Sequence, residues 1–139
     1  MRAKNTPRSH QRAPPAPDSL IVLVAHADAD LRAYVARCLR TRQPSPAWIL
    51  GAATGAEAMI QAADADLIIT DYLMQGPGGH DIYTTLAADN VLRKIPVLIL
   101  ADLDPDAFSI PESPTMAVLT MPFYARTLLA KVEAPLRER

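Results

Sequence analysis

The chain has 139 residues, of which 50% are hydrophobic and 21% are charged. This length suits one domain with a buried core. The 14 basic residues nearly balance the 15 acidic ones, which excludes the broad basic surface that non-specific binding of nucleic acid or anionic membranes requires. A single cysteine, Cys38, excludes an internal disulfide, and the sequence has no CxxC or Cys/His cluster for structural zinc.

No segment of the sequence predicts a membrane protein. The longest apolar run, from Ile95 to Ala101, contains Pro96 and is far shorter than the roughly 18 residues of a membrane span. The N-terminus lacks the apolar core of a secretory signal peptide. We therefore expect a cytoplasmic protein that does not bind a membrane.

Residues 1–18 differ in composition from the rest of the chain. They carry four basic residues, one acidic residue and four prolines, which gives a net charge of +3 against −4 for the remainder. Such a segment cannot bury enough apolar surface to offset its chain entropy. We predict a disordered basic tail over residues 1–18 and one folded domain over residues 19–139. A role of the tail in binding an acidic partner or nucleic acid remains an alternative.

Beyond the tail, short apolar runs alternate with amphipathic helical patterns, which is typical of a parallel sheet with helices on both faces. Three of the runs, IVLVA, LIIT and VLILA, are apolar without alternation, as strands covered on both faces are. Strands are predicted at residues 20–25, 47–52, 67–70, 97–101 and 117–120.

Helical patterns lie between these strands and after the last one. In the first, apolar residues from Leu31 to Leu39 recur at helical spacing, and either Asp28 or Asp30 is placed to cap the helix. Further helices are predicted at about residues 55–63 and 80–88, and a last one at 125–136. This order of elements favours an α/β fold with a doubly wound, five-stranded parallel sheet of flavodoxin-like order 2-1-3-4-5.

The connection between the fourth and fifth strands breaks this regularity. Residues 102–116 contain three prolines, so we expect the fourth helix of the fold to be short or irregular. The segment also carries four acidic residues around Phe108 and Ile110. We interpret it as an acidic strip with two apolar anchors that suits a basic partner. A solvated loop with Phe108 in the core is the alternative.

Two residues whose side chains can take part in chemistry follow neighbouring strands of the predicted sheet. In a sheet of this order, ligands bind at the carboxyl ends of the strands, between the first and third strands. His26 and Asp71 follow those two strands, so we expect them side by side, as an ion pair when the imidazole is protonated. The simplest interpretation of His26 is a histidine at the solvent edge.

The stretch DLIITDYLMQGPGG, which contains Asp71, Met74 and Gly79, resembles the acceptor region of the receiver domains of two-component response regulators. Three further segments resemble the same family: TGAEAM from Thr54, IPVLIL from Ile95, and LTMPF, whose Met121–Pro122 bond is expected to be cis. The resemblance covers residues 20–136.

In that family an aspartate accepts a phosphoryl group from a histidine kinase, assisted by Mg²⁺ on an acidic pair, by a hydroxyl residue and by a lysine. The resemblance places the acceptor at Asp71. It places the acidic pair at His26 and Ala27, the hydroxyl residue at Ala101 and the lysine at Met121. Of these groups, the acceptor is the one that this sequence retains.

The switching residues of the family are altered in the same way. Val118 stands where the family usually has an aromatic residue that moves together with the hydroxyl residue.

Mg²⁺ prefers oxygen ligands, whereas His26 offers nitrogen, and the nearby carboxylate of Asp28 lies at the expected helix cap. We therefore expect weak or absent Mg²⁺ binding, no other metal or cofactor, and poor phosphoryl transfer.

These substitutions predict a degenerate receiver domain without enzymatic activity, acting as a phosphorylation-independent signalling or protein-interaction module. No output domain follows Arg139, so we expect the effect to pass through a protein partner, such as a histidine kinase or another signalling protein, and not through nucleic acid. Two alternatives remain. One is a response regulator phosphorylated on Asp71, and the other is a small flavodoxin-like enzyme or ligand binder at the cleft between His26 and Asp71.

Overall fold

A computed structural model of the chain describes residues 19–43, 46–72, 74, 79–101, 113 and 115–137. Three predictions lie outside these residues: the tail over residues 1–18, most of the connection between the fourth and fifth strands, and the two apolar anchors Phe108 and Ile110. No helix within the described ranges has the length and apolar character that crossing a membrane requires.

The described residues form one parallel five-stranded sheet with helices on both faces. The strand order, β2-β1-β3-β4-β5, confirms the predicted fold class and topology. All four strand pairs are parallel, so the carboxyl ends of the strands share one edge of the sheet. The strands are β1 (Ile21–Ala25), β2 (Trp48–Ala52), β3 (Leu67–Asp71), β4 (Val97–Ala101) and β5 (Met116–Thr120).

Four α-helices lie within the described residues: α1 (Ala29–Arg40), α2 (Gly55–Gln61), α3 (Gly79–Ala87) and α4 (Ala125–Leu136). The backbone N–H groups of Asp30 and Leu31 donate to the carboxylate of Asp28, which makes Asp28 the N-cap of α1. At the start of α2, the hydroxyl of the N-cap Thr54 accepts the N–H of Glu57, and the carboxylate of Glu57 accepts the N–H of Ala53, one residue before the cap.

The predicted bounds were close, with small errors at element ends. Each of the first two strands begins one residue later than predicted, β3 ends one residue later, at Asp71, and β5 begins one residue earlier. The predicted second helix ends at Gln61 and continues as a 3-10 turn over Ala62–Asp64. The third helix is shifted by one residue, to Gly79–Ala87, and α4 matches its prediction. The Met121–Pro122 peptide bond is cis, as expected.

The core has two layers, one on each face of the sheet. Because neighbouring side chains of a strand point to opposite faces, the strands with no alternation supply both layers. The layer under α1 and α4 includes Val22, Val24, Ile69, Leu98, Leu100, Leu128 and Val132. The layer under α2 and α3 includes Leu23, Ile68, Ile99, Ile82 and Leu86.

Candidate functional site

Five chain positions come together at the carboxyl edge of the sheet. Asp71 is the last residue of β3 and His26 follows β1, which is hydrogen-bonded to β3. Ala101 ends β4, and the N–H of Met121 donates to its carbonyl at 2.8 Å, so Met121 continues the β5 side of the ladder. Ala27 follows His26 and is exposed. The fold therefore assembles the positions that the family resemblance had singled out.

His26 and Asp71 face each other across the junction of β1 and β3. The imidazole Nε2 lies 3.4 Å from the carboxylate Oδ2, and the two side chains are 11% and 20% exposed. The distance is slightly longer than a usual N–H···O hydrogen bond. The predicted juxtaposition is thus present, with Asp71 open enough to meet solvent.

The interpretation of His26 as a solvent-edge residue is wrong, because the residue is buried, with 9% of its surface exposed. Its main chain extends the sheet by donating to the carbonyl of Ala52 at 3.0 Å. That bond continues the ladder between β1 and β2 by one residue. A buried imidazole needs partners for both of its nitrogens.

One ring nitrogen of His26 has a clear partner. The backbone N–H of Asp28 donates to Nδ1 at 3.0 Å, which requires an unprotonated Nδ1 and assigns the ring proton of the neutral imidazole to Nε2. An ion pair with Asp71 would need a second proton on Nδ1, directly against the N–H of Asp28. In the neutral ring, the N–H of Nε2 therefore faces the carboxylate of Asp71.

Asp28 belongs to the helix rather than to the cleft. Its carboxylate Oδ1 accepts the N–H of Asp30 at 2.8 Å and that of Leu31 at 3.4 Å. Because a carboxylate that caps a helix N-terminus is stabilised there by the N–H groups and by the helix dipole, turning it toward Asp71 would cost the cap. Asp28 does not act as a replacement for the missing acidic pair in this arrangement.

Arg32 is a site residue that the sequence analysis missed. Its guanidinium Nη1 donates a short hydrogen bond to the carbonyl of His26, six residues earlier. A signal was present in the sequence, since a cation near a helix N-terminus is disfavoured by the helix dipole and needs a local acceptor. Arg32 thus places a fixed positive charge beside His26.

The other family positions are filled by apolar side chains. Ala101 is buried and presents a methyl group where the family has a hydroxyl, and Met121 packs against the core layer under α1 and α4. Val118 is buried in the opposite layer. None of these three side chains can donate a hydrogen bond, so these positions do not supply the donors that stabilise a transferring phosphoryl group in the family.

The donors at this edge do not fit Mg²⁺, the ion that receiver domains use. Within the ranges that the structure describes, no three His, Cys, Asp or Glu side chains converge closely enough to hold a metal ion. Mg²⁺ is usually bound through one or two carboxylates and several waters. Here Asp28 is engaged in its cap, and His26 turns an N–H toward the place where a second carboxylate would stand.

A cavity of about 200 Å³ lies away from this edge. It is bordered by the first residues of β4 and β5 and by the last turns of α4, including Val97, Met116 and Pro135. These are the amino ends of the strands, whereas the His26 and Asp71 side chains stand at the carboxyl ends. The cavity therefore belongs to a different part of the molecule from the candidate site.

The fold is shared with many solved structures. The chemotaxis response regulator CheY4 of Vibrio cholerae matches with a TM-score of 0.70 and 22% identity, over 84% of this chain and 98% of that one. The signal receiver domain of a histidine kinase from Syntrophus aciditrophicus matches with a TM-score of 0.73 and 22% identity, over 86% and 92% of the two chains. The receiver domain of the hybrid histidine kinase CckA matches with a TM-score of 0.65 and 27% identity, over 84% and 98%.

Comparisons by sequence alone give no match, either among protein-family models or among curated proteins. At identities in this range, the structural likeness establishes architecture rather than activity. The structural neighbours of this chain are CheY-like receiver domains of response regulators and histidine kinases, and the chain has their fold.

Proposed function

We propose that this chain is a degenerate receiver domain, which acts as a signalling or protein-interaction module independently of phosphorylation and has no enzymatic activity of its own. The observation that carries the proposal is the composition of the carboxyl edge. Asp71 remains at the acceptor position, while His26, Ala101 and Met121 stand where the family places a carboxylate, a hydroxyl and a lysine. These three positions therefore do not supply the groups that assist phosphoryl transfer to the acceptor in the family.

The electrostatics of phosphoryl transfer support this proposal. The transferring group carries negative charge that must be neutralised by metal ions or cationic groups placed in advance. The methyl group of Ala101 and the thioether of Met121 cannot provide this neutralisation at the positions where the family has a hydroxyl and a lysine. We propose accordingly that Mg²⁺ binding is weak or absent and that the module uses no other cofactor.

We further propose that the module works through a protein partner, such as a histidine kinase or another signalling protein, as its fold neighbours belong to signalling proteins of that kind. The acidic strip with Phe108 and Ile110, which the sequence suggested as a binding segment, lies outside the described residues. The proposal of a partner therefore depends on the fold likeness and not on a described surface.

One alternative has an observation in its favour. Asp71 keeps the acceptor position and its side chain is 20% exposed, so a kinase that supplied the missing groups could reach the carboxylate. The other alternative is a small enzyme or ligand binder at the cleft between His26 and Asp71, and the cavity described above does not bear on it, because it lies at the opposite edge of the sheet.

The decisive experiment records amide NMR spectra of the chain with and without millimolar Mg²⁺ and beryllofluoride, which mimics a phosphoryl group. We expect no saturable shifts of the Asp71 and Tyr72 amides. Saturable shifts centred there would overturn the proposal and support phosphorylation of Asp71. A variant combining His26→Asp, Ala101→Thr and Met121→Lys serves as the matched control, since it restores three missing groups on the same fold and is expected to respond.

A second experiment asks whether Asp71 controls partner binding. The wild-type chain and Asp71→Asn are compared as baits in pull-downs from the native cells, with bound proteins identified by mass spectrometry. We expect the two baits to retain the same specific proteins. Loss of a specific protein with Asp71→Asn would show that the acceptor still governs binding.

A further inference from the structure

The imidazole of His26 is held in one orientation by the start of helix α1. The N–H of Asp28 donates to Nδ1 at 3.0 Å, and Asp28 is itself fixed because its carboxylate caps the helix. The backbone group that holds the ring therefore cannot turn away without undoing the cap. The ring has its proton on Nε2 as long as this bond persists.

The other ring nitrogen, Nε2, faces the carboxylate of Asp71. Nε2 is buried and has no hydrogen-bond partner of good geometry among the described residues, while Oδ2 of Asp71 lies 3.4 Å away. A buried donor without an acceptor costs about 1–3 kcal/mol. If a small turn of the imidazole ring moves Nε2 by a few tenths of an ångström, the N–H comes within hydrogen-bond range of the carboxylate.

The same arrangement works against a metal ion. A histidine that binds a metal through Nε2 normally carries its proton on Nδ1 and donates that proton to a carboxylate or carbonyl. Here Nδ1 faces a donor, the N–H of Asp28. Metal binding through Nε2 would thus require the ring to abandon its partner, and the guanidinium of Arg32, bonded to the carbonyl of His26, adds a repelling positive charge.

We infer that His26 is a positioning residue that replaces the divalent cation of this fold's site, holding the carboxylate of Asp71 with its Nε2–H while Arg32 supplies fixed positive charge nearby. The inference rests on the proposed function, because an internal partner for Asp71 is useful where Asp71 is not phosphorylated. In this arrangement the chain itself supplies the groups that stabilise the buried side of the carboxylate.

A spectroscopic measurement on the wild-type chain tests the arrangement directly. Long-range ¹H–¹⁵N spectra distinguish the two neutral tautomers of histidine, and we expect His26 to show the tautomer protonated on Nε2. The tautomer protonated on Nδ1 would overturn the inference. This measurement needs no variant, so the inference stays refutable if a substitution prevents folding.

Two substitutions at the same position separate the roles of the two nitrogens. His26→Gln places an amide N–H near the position of Nε2 and loses the acceptor for Asp28, whereas His26→Asn keeps an acceptor near Nδ1 and loses the donor to Asp71. We expect the ¹³C signal of the Asp71 carboxylate to move with His26→Asn and to stay near its wild-type position with His26→Gln. A carboxylate signal that His26→Asn leaves in place would contradict the inference.

A Mg²⁺ titration followed by amide NMR tests the exclusion of the metal. His26→Asp should gain saturable shifts at Asp71, and adding Arg32→Gln should tighten that binding about fivefold, as expected when a unit charge leaves a solvated site. If Mg²⁺ causes no saturable amide shifts in the wild type and none in His26→Asp, the inference about His26 fails while the proposed function stands. If the wild type responds to Mg²⁺ and beryllofluoride, the proposed function fails.

Discussion

Asp28 offers a sharp test of how this edge is built, because the structure assigns its carboxylate to the cap of α1 and not to the cleft. In Asp28→Ala, the hydrogen bonds from the N–H groups of Asp30 and Leu31 are lost. The backbone N–H of residue 28, which binds Nδ1 of His26, is retained. The substitution should therefore reduce stability, while the N–H of residue 28 remains available to Nδ1 of His26.

The size of the loss follows from the two cap bonds. The bond to Asp30 has good length at 2.8 Å, whereas the one to Leu31 is long at 3.4 Å, so the substitution should cost about 1 kcal/mol, in the middle of the range for N-caps. For a domain of this size, that loss corresponds to a decrease of about 4 °C in Tm.

Thermal and urea unfolding followed by circular dichroism measure this loss. Asp28→Ser is the matched control, because serine is an effective N-cap without a charge, and it should recover most of the stability. The reasoning is refuted if Asp28→Ala is as stable as the wild type, or if Asp28→Ser is as destabilised as Asp28→Ala. Mg²⁺ that stabilised the wild type but not Asp28→Ala would show that this carboxylate is a metal ligand.

Three further outcomes are expected. Leu39→Ala, which truncates a side chain with no exposed surface, should cost about 2–5 kcal/mol in urea unfolding with an unchanged m-value. A double-mutant cycle with Arg42→Gln and Glu133→Gln removes an ion pair at 2.6 Å between the loop that follows α1 and helix α4. The cycle should give a coupling of about 1 kcal/mol that decreases with salt, and zero coupling at low salt would contradict a stabilising role. Hydrogen bonds from two backbone N–H groups hold the pKa of Asp89 below its ordinary value of 3.8, so its stabilising contribution should be complete above that value and lost as pH falls through the lowered one. An NMR titration of the Asp89 carboxyl checks this direction, and Asp89→Asn should weaken the acid dependence of stability.

The strands and the last helix were predictable from sequence because their signals are local. The uninterrupted apolar runs of β1, β3 and β4 indicated strands covered on both faces, and the structure buries them in that way. The apolar spacing over residues 125–136 predicted α4 with both of its ends. Given these elements in this order, the parallel topology followed from the short list of sheets that such chains form.

The ends of elements were less predictable, because competing local choices have similar energies. The sequence allowed Asp28 or Asp30 as the cap of α1, and the structure selects Asp28. Either carboxylate can accept the orphan N–H groups of a helix terminus, and the choice depends on where the chain leaves β1. The second helix continues after Gln61 as a 3-10 turn. Such turns are frequent at helix ends, because the α-helical and 3-10 hydrogen-bond patterns differ little in free energy there.

The sequence by itself determined that His26 and Asp71 meet, because parallel strands bring their carboxyl ends to one edge. Only the tertiary structure decided which atoms of the two residues face each other, since the ring of His26 is oriented by the N–H of a residue two positions later. The contribution of Arg32 was settled at the same level, by a side chain that reaches back to the carbonyl of His26. A sequence pattern specifies residue types and spacing, whereas tautomer, burial and charge at a site depend on directions of individual bonds that are fixed when the elements pack together.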